Sequence, residues 1–336
     1  MNGQPLTDQA PAATAPLRLG TRRSALAMAQ SGMVAREVTR LTGRPVELVE
    51  ITTYGDTSRE ALAQIGGTGV FVSALRDALL EGRIDFAVHS LKDLPTAEPA
   101  GLVLAAVPER EDARDALVAQ EGLALQELVE KLAGAGRTAR IGTGSPRRTA
   151  QLNAWARARG EQLETVAIRG NVDTRIGFVA SGELDAVVLA TAGLNRLGRG
   201  GEITERLDPE LMLPAPGQGA LAIECTAADT GLTAALSALD HLPTRVAVAA
   251  ERALLATLEA GCSAPVAALA TWGHEYELQL EGVVGTVDGA TVLKMSANGP
   301  IVLDETAEQQ ATALGRALAA RLLDADAAAL MGERAR

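Results

Sequence analysis

The sequence predicts an α/β chain: two α/β domains facing each other across a cleft, followed by a small α+β C-terminal domain. Three observations lead there. Strand-like and helix-like segments alternate through the first two thirds of the chain, the pattern of βαβ units. Two stretches of that region echo two others at fixed spacings. Beyond residue 240 the alternation stops, and short strands cluster between two long helical patterns.

Leu17–Gly20 is a short apolar strand. Ser24 is a capping residue for a helical stretch to about Thr42, which Gly43 and Pro45 end. Val46–Thr53 reads as a strand and Val70–Glu81 as a helix stopped by Gly82. Ile84–Val88 and Leu102–Val107 read as strands. The order then recurs: strand Arg140–Thr143, helix Pro146–Arg159, strand Thr165–Ile168, helix Asp173–Ala180, strand Ala186–Ala190. Mainly parallel sheets are expected from this alternation. LRLGTRRS (17–24) echoes ARIGTGSPRR (139–148), and EGRIDFAVHS (81–90) echoes SGELDAVVLA (181–190), at spacings of 122 and 100. Two similar domains explain such spacings better than a short repeat, and such a pair binds ligand between its strand C-termini and helix N-termini. After residue 240, helix Thr244–Glu259 precedes a Gly-Cys-Ser-Ala-Pro turn. Strands Val266–Thr271, Tyr276–Val284 and Thr291–Met295 follow, then helix Thr306–Leu323. The expected division is a disordered tail at 1–16, a first domain from 17–110 and 217–238, a second at 114–213 and a third at 240–336.

Composition excludes several functions. The chain has 336 residues, 47% hydrophobic and 22% charged, which suits two or three soluble domains and no extensive disorder. There is no run of about 18 apolar residues and no signal-peptide pattern, so no membrane partner is expected. Aromatics at 2% and a net charge of −11 argue against nucleic acid. Two cysteines, Cys225 and Cys262, make no disulfide framework, so the cytoplasm is the expected compartment. Three scattered histidines offer no metal-ligand spacing, and no metal is expected.

Arginine at strand–helix junctions carries the strongest chemical signal. Arg22 and Arg23, Arg147 and Arg148, Arg169 and Arg175, and Arg196 all fall there. Helix N-termini are already electropositive, so added guanidinium groups ask for an anion. Arginine fits carboxylates bidentately. Any one of these arginines reads equally well as a surface ion-pair partner; the set reads as a polyanion cleft. Gly142–Arg148 offers Ser145 and backbone N–H groups at a helix start but is neither a Walker loop nor a dinucleotide fingerprint. Gly66–Gly69 reads as the hinge of a mobile lid over 56–69, and Pro214–Gly219 as a rigid crossover. HSLKDLP (89–95) follows a buried strand, where Lys92 and Asp93 suit acid–base work or a loop ion pair. Cys225 ends a core strand and reads as packing. Cys262, in a Gly/Ser/Pro turn, reads as reachable and nucleophilic.

Taken together these segments resemble the porphobilinogen deaminase (hydroxymethylbilane synthase) family. The matching stretches are LGTRRSALAMAQ (19–30), GGTGVFVSAL (66–75), DFAVHSLKDLP (85–95), IGTGSPRRTAQL (141–152), IRGNVDTR (168–175), ATAGLNRLG (190–198), LPAPGQGALAIEC (213–225) and AERALLATLEAGCSAPVA (250–267). ERED-RDAL (109–117) lies between them, and the order is the family's. The resemblance implies a transferase with two periplasmic-binding-protein-like domains and a third that holds a dipyrromethane cofactor on Cys262 through a thioether. Four porphobilinogen molecules are deaminated in turn and joined to that primer. Hydrolysis then frees 1-hydroxymethylbilane for haem and other tetrapyrrole biosynthesis. The family suggests a cytoplasmic monomer. It implies that Asp93 is the catalytic carboxylate. Lys92, Asp93, Ser145, Arg147, Arg148, Arg169 and Gln218 are implied to hold the cofactor, and Arg22, Ser24, Arg169, Arg175 and Arg196 the substrate. Thr68 and Ser73 stand where many members carry lysine, which removes one or two lid contacts. A different class, a non-catalytic periplasmic-type anion-binding protein, would need only the first two domains.

Overall fold

The computed structural model describes residues 15–52, 69–97, 99–260 and 264–331. The tail at 1–14, residues 56–68 of the expected lid (with Thr68) and Cys262 lie outside the described residues.

In chain order the elements are β1 (Leu17–Thr21), α1 (Ala25–Thr42), β2 (Val46–Glu50), α2 (Gly69–Leu80), β3 (Phe86–Ser90), β4 (Leu102–Ala106), β5 (Asp115–Ala119) and α3 (Leu125–Gly134). Next come β6 (Ala139–Thr143), α4 (Pro146–Arg159), β7 (Leu163–Ala167), α5 (Val172–Ala180), β8 (Ala186–Ala190), α6 (Thr191–Arg196) and β9 (Glu205–Arg206). The last are β10 (Leu221–Thr226), α7 (Thr230–Ser237), α8 (Leu242–Thr257), β11 (Val266–Trp272), β12 (Glu277–Gly285), β13 (Val292–Pro300), α9 (Ala307–Asp324) and α10 (Ala327–Leu330). Ser24 caps α1, its Oγ accepting the Ala27 N–H, and Gly43 ends that helix in the left-handed region at φ 67°.

Two five-stranded sheets have matching orders, β2-β1-β3-β10-β4 and β7-β6-β8-β5-β9; β11-β12-β13 form a third, antiparallel sheet. The echo seen in the sequence is atomic. The Arg18 N–H donates to Asp85 Oδ2 at 2.6 Å, and the Arg140 N–H to Asp185 Oδ2 at 2.8 Å. A Cβ on Gly20 would lie 2.3 Å from Ile84 Cδ1, and one on Gly142 2.5 Å from Leu184 Cδ1. In both lobes, then, an aliphatic side chain fills the space a glycine leaves, and an aspartate staples the entry of the first strand.

Each five-stranded sheet is covered on both faces. In the first, α1 and α7 bury Val34, Val38, Leu232 and Leu236 on one side, and α2 buries Leu75, Ala78 and Leu79 on the other. In the second, α3 and α4 cover one face through Leu125, Leu128, Leu152 and Trp155, and α5 covers the other through Ile176 and Val179. The third unit packs α8 and α9 on its sheet around Leu254, Leu280, Leu318 and Leu322.

The expectation of mainly parallel sheets is corrected. β1 pairs in parallel with β2 and β3, and β6 with β7 and β8. β10 runs antiparallel to β3 and β4, and β5 antiparallel to β8 and β9. These are the two strands that enter each sheet directly after the chain crosses from the other lobe. They arrive without a crossover helix, so right-handed βαβ geometry does not dictate their direction. Both are buried runs, which read the same in either direction.

Candidate active site

Every junctional residue singled out by the sequence follows a parallel strand at its C-terminal end, the edge where α/β sheets bind ligands. Arg22 and Ser24 follow β1, Lys92 and Asp93 follow β3, Ser145 to Arg148 follow β6, Arg169 and Arg175 follow β7, and Arg196 closes α6 after β8.

In the first lobe β3 runs into a single 3₁₀ turn, Leu91–Asp93. Leu91 is fully buried and its N–H donates to Ala220 O at 3.0 Å, pinning the turn to the segment before β10. Lys92 and Asp93 are half-buried. Lys92 Nζ donates to Gln218 Oε1 at 3.3 Å. Its pKa is pushed down to about 8, first by burial; Arg148 and Arg147 add to the shift, against Asp93 and Asp115. The Asp93 carboxylate accepts no hydrogen bond among the described residues. On the α1 side, Gln30 Nε2 reaches Ser90 Oγ at 3.1 Å.

In the second lobe Pro146 opens α4 with Ser145 as its N-cap, and the Ser145 hydroxyl is not spent on capping. Arg147 and Arg148 are buried and converge on Asp115, the fully buried first residue of β5. Asp115 Oδ1 accepts Arg148 Nη2 at 2.7 Å, Arg148 Nε at 3.1 Å and Gln218 Nε2 at 2.9 Å. Its Oδ2 lies 2.7 Å from Arg147 Nη1. Burial alone would raise the Asp115 pKa, but the charges of Arg147 and Arg148 outweigh it and hold the carboxyl far below the usual range. Arg148 Nη1 donates to Val188 O and Arg147 Nη1 to Leu213 O, while Arg147 Nε is buried with no partner among the described residues.

Gln218 joins the lobes. It is fully buried in the second crossover and bridges Lys92 to Asp115, with Nε2 also donating to Ala113 O at 2.7 Å. Gly219 next to it has φ 88°, and a Cβ there would stand 2.4 Å from Glu111 O; only glycine lets the two crossovers touch. Arg196 Nη2 donates to Gly219 O at 2.6 Å, and its Nε is buried with no partner among the described residues. Burial lowers the Arg196 pKa, with Glu111 opposing.

Positive charge is in excess here. Arg175 is lowered by burial, then by Arg148 and Arg169, with no carboxylate opposing. Arg147 is lowered by burial and by Arg148, with Asp115 alone opposing. Buried Arg147 and Arg148, half-buried Arg175 and exposed Arg169 repel one another in a chain of net charge −11, and a polyanion would relieve them.

Sequence reading missed Asp115, although it lies in the quoted ERED-RDAL segment, where an acid opens an apolar run. It also missed Glu251 and Arg252 of α8. Glu251 is fully buried and accepts Arg110 Nη1 and Nη2, Gly217 N–H and Ala270 N–H at 2.6–3.1 Å. Ser73, one of the two positions where many members of the resembled family carry lysine, is exposed on α2. Arg23, given no role, is exposed and sits 3.6 Å from Glu50. Cys225 is fully buried beside Thr233 Oγ1 at 3.4 Å, and burial pushes its thiol pKa up.

The family model described as "Porphobilinogen deaminase, dipyromethane cofactor binding domain" matches residues 17–234, and "Porphobilinogen deaminase, C-terminal domain" matches 246–324. The chain is 66% identical over 325 residues to "Porphobilinogen deaminase 1" of Streptomyces avermitilis, covering 95% of this chain and 98% of that protein. It is 55% identical over 328 residues to "Porphobilinogen deaminase" of Thermobifida fusca, covering 95% and 99%. Among solved structures, a periplasmic substrate-binding protein of an ABC transporter from Coxiella burnetii aligns with TM-score 0.41 and 13% identity over 66% of this chain and 91% of that one. No helix among the described residues is long and apolar enough to cross a membrane.

Proposed function

The chain belongs to the porphobilinogen deaminase family, and from there we propose which of its residues carry the reaction. It is an enzyme of tetrapyrrole biosynthesis with a dipyrromethane cofactor domain. In this reading it is a transferase that condenses four porphobilinogen molecules on the dipyrromethane, releases ammonia at each step and frees 1-hydroxymethylbilane by hydrolysis. It acts as a cytoplasmic monomer, with domains at 17–110 plus 217–238, 114–213 and 240–336. The insertion of β10 between β3 and β4 supports the discontinuous first domain.

The observation that carries the reading is the crowd of half-buried and buried cations at the lobe junction. A dipyrromethane bears two carboxylates on each ring, and it fits: the buried Nε atoms of Arg147 and Arg196 and the displaced pKa values of Lys92 and Arg175 all improve beside carboxylates. Cys262 would hold the cofactor by a thioether, with Lys92, Asp93, Ser145, Arg147, Arg148, Arg169 and Gln218 around it. Gln218 acts through Lys92, because its amide is already spent on Lys92, Ala113 and Asp115. Arg22, Ser24, Arg169, Arg175 and Arg196 would take the substrate's acetate and propionate groups. When bound, the dipyrromethane supplies the free pyrrole end to which substrate units are joined.

Asp93 does the proton work. With no donor on its carboxylate among the described residues, it is available to accept a pyrrole N–H and to pass a proton to the leaving amine nitrogen of porphobilinogen. The carboxylate left behind then faces the cation that departing ammonia creates. Catalysis of this kind is worth roughly 10²–10⁴-fold. The charge of Asp93 in turn favours the protonated form of Lys92 beside it, against the burial that lowers the lysine's pKa to about 8.

A binding-only protein would hold porphobilinogen without consuming it. Purified protein given porphobilinogen should release one ammonia per substrate consumed. Tight binding with no ammonia would return the chain to the anion-binding class.

A further inference from the structure

Asp93 sits in a very short piece of backbone. The Leu91–Asp93 turn has one internal hydrogen bond, Leu94 N–H to Leu91 O at 3.1 Å, and such turns hold themselves poorly. One end is pinned by the Leu91 N–H on Ala220 O. The other end is pinned from the third unit of the fold. Arg252, one turn before the end of α8, donates Nη1 to Leu94 O at 2.9 Å and Nη2 to Pro95 O at 2.8 Å. The same Nη1 reaches Leu91 O at 3.4 Å. A planar guanidinium grips two carbonyls in a fixed geometry that a lysine cannot reproduce.

The helix that bears this fork is itself immobilised. Glu251, the preceding residue, receives both Arg110 Nη atoms from the first crossover and the Gly217 N–H from the second. It also receives Ala270 N–H from β11, so the carboxylate binds α8 to both crossovers and to its own sheet. Adjacent residues of α8 therefore face two tasks: Glu251 fixes the helix against the lobe crossovers, and Arg252 reaches from that fixed point to the turn carrying Asp93. We propose that Arg252 is a positioning residue for the reaction, its guanidinium fork holding the Leu94 and Pro95 carbonyls so that the Asp93 carboxylate stands where the leaving amine needs it. The proposal rests on the role given to Asp93 above.

Misplacing a reacting group by about 1 Å can cost up to 10²-fold in rate without altering what binds. Arg252→Ala should therefore lower kcat at least about tenfold, leave KM for porphobilinogen within about twofold, and leave the cofactor increment in the denatured mass intact. Arg252→Lys should recover only part of the rate. The deciding measurement is a double-mutant cycle with Asp93→Asn. In the Asp93→Asn background, Arg252→Ala should cost less than about twofold more, because there is no longer an acid to position. Loss of the same factor in both backgrounds, or an unchanged kcat in Arg252→Ala, overturns the proposal and leaves Asp93 in its role. A near-normal rate for Asp93→Asn by itself overturns that role, and the proposal with it. If Arg252→Ala fails to fold, Arg252→Lys takes its place in the same cycle: a loss confined to the Asp93 background supports the proposal, and an equal loss in both backgrounds overturns it.

Discussion

Asp93→Asn is expected to turn over at least about 10²-fold more slowly while still carrying its cofactor, the low end of what losing a general acid costs. The amide keeps the size of the side chain and can still meet a pyrrole N–H through its oxygen, but it has no proton to give the leaving amine and no charge to set against the resulting cation. Asp93 is half-buried and accepts no hydrogen bond among the described residues, so the substitution breaks no structural bond there. Asp85 is the contrast. It accepts the Arg18 N–H at 2.6 Å and Arg18 Nη2 at 2.7 Å at the entry of β3, the opposite end of the sheet from the site. Asp85→Asn should lower stability with little effect on turnover. Steady-state rates with the cofactor load checked by mass decide between them. Equal losses in both variants would remove Asp93 from the chemistry.

Asp115→Asn should be the most destabilising single change in the site. It leaves two buried guanidinium groups facing a neutral amide, and removing one partner of a buried ion pair costs about 3–5 kcal/mol. If Arg147 and Arg148 hold the cofactor as proposed, the effect should be larger in apoprotein than in holoprotein, because the cofactor's carboxylates would restore counter-charge beside them. Denaturant unfolding of both forms measures it. The folded-state pKa of Asp115 lies below its unfolded value, so its contribution is present above about pH 4 and is lost as the pH falls below that. The variant should therefore show a flatter acid limb than the parent. Equal stability of variant and parent apoprotein would mean that Asp115 does not hold the arginines together.

Local signals in the sequence carried much of this. Ser24 and Gly43 mark both ends of α1, and Pro146 opens α4 where expected. The two echoes correspond to real pairs, Arg18 with Asp85 and Arg140 with Asp185, because a duplicated lobe repeats its staples along with its strands. Gathering the arginines at one sheet edge followed from the rule that parallel strands point their C-termini at the ligand. What stayed hidden depends on long-range partners. The direction of β5 and β10 is set by which lobe the chain has just left, and a buried apolar run does not record it. Helix α3 went unnoticed although Leu125, Leu128, Val129 and Leu132 have helical spacing. Asp115 looked like one more acid in an acidic segment, and only the fold shows two arginines and a glutamine spent on it. Glu251 and Arg252 looked like an ordinary charged pair on a helix. Their partners in the crossovers and the Asp93 turn lie more than thirty residues away.

In the reading proposed above, the cationic junction serves a cofactor tethered to Cys262. Cys225 is a poor candidate for the tether: it is fully buried, and burial raises its thiol pKa. The intact mass of the purified protein under denaturing conditions separates the possibilities. The expected value is the mass of the sequence, 34.7 kDa, plus two pyrrole units, with the increment absent from Cys262→Ala. The bare sequence mass in protein that turns over porphobilinogen, or an adduct that maps to Cys225, would contradict it.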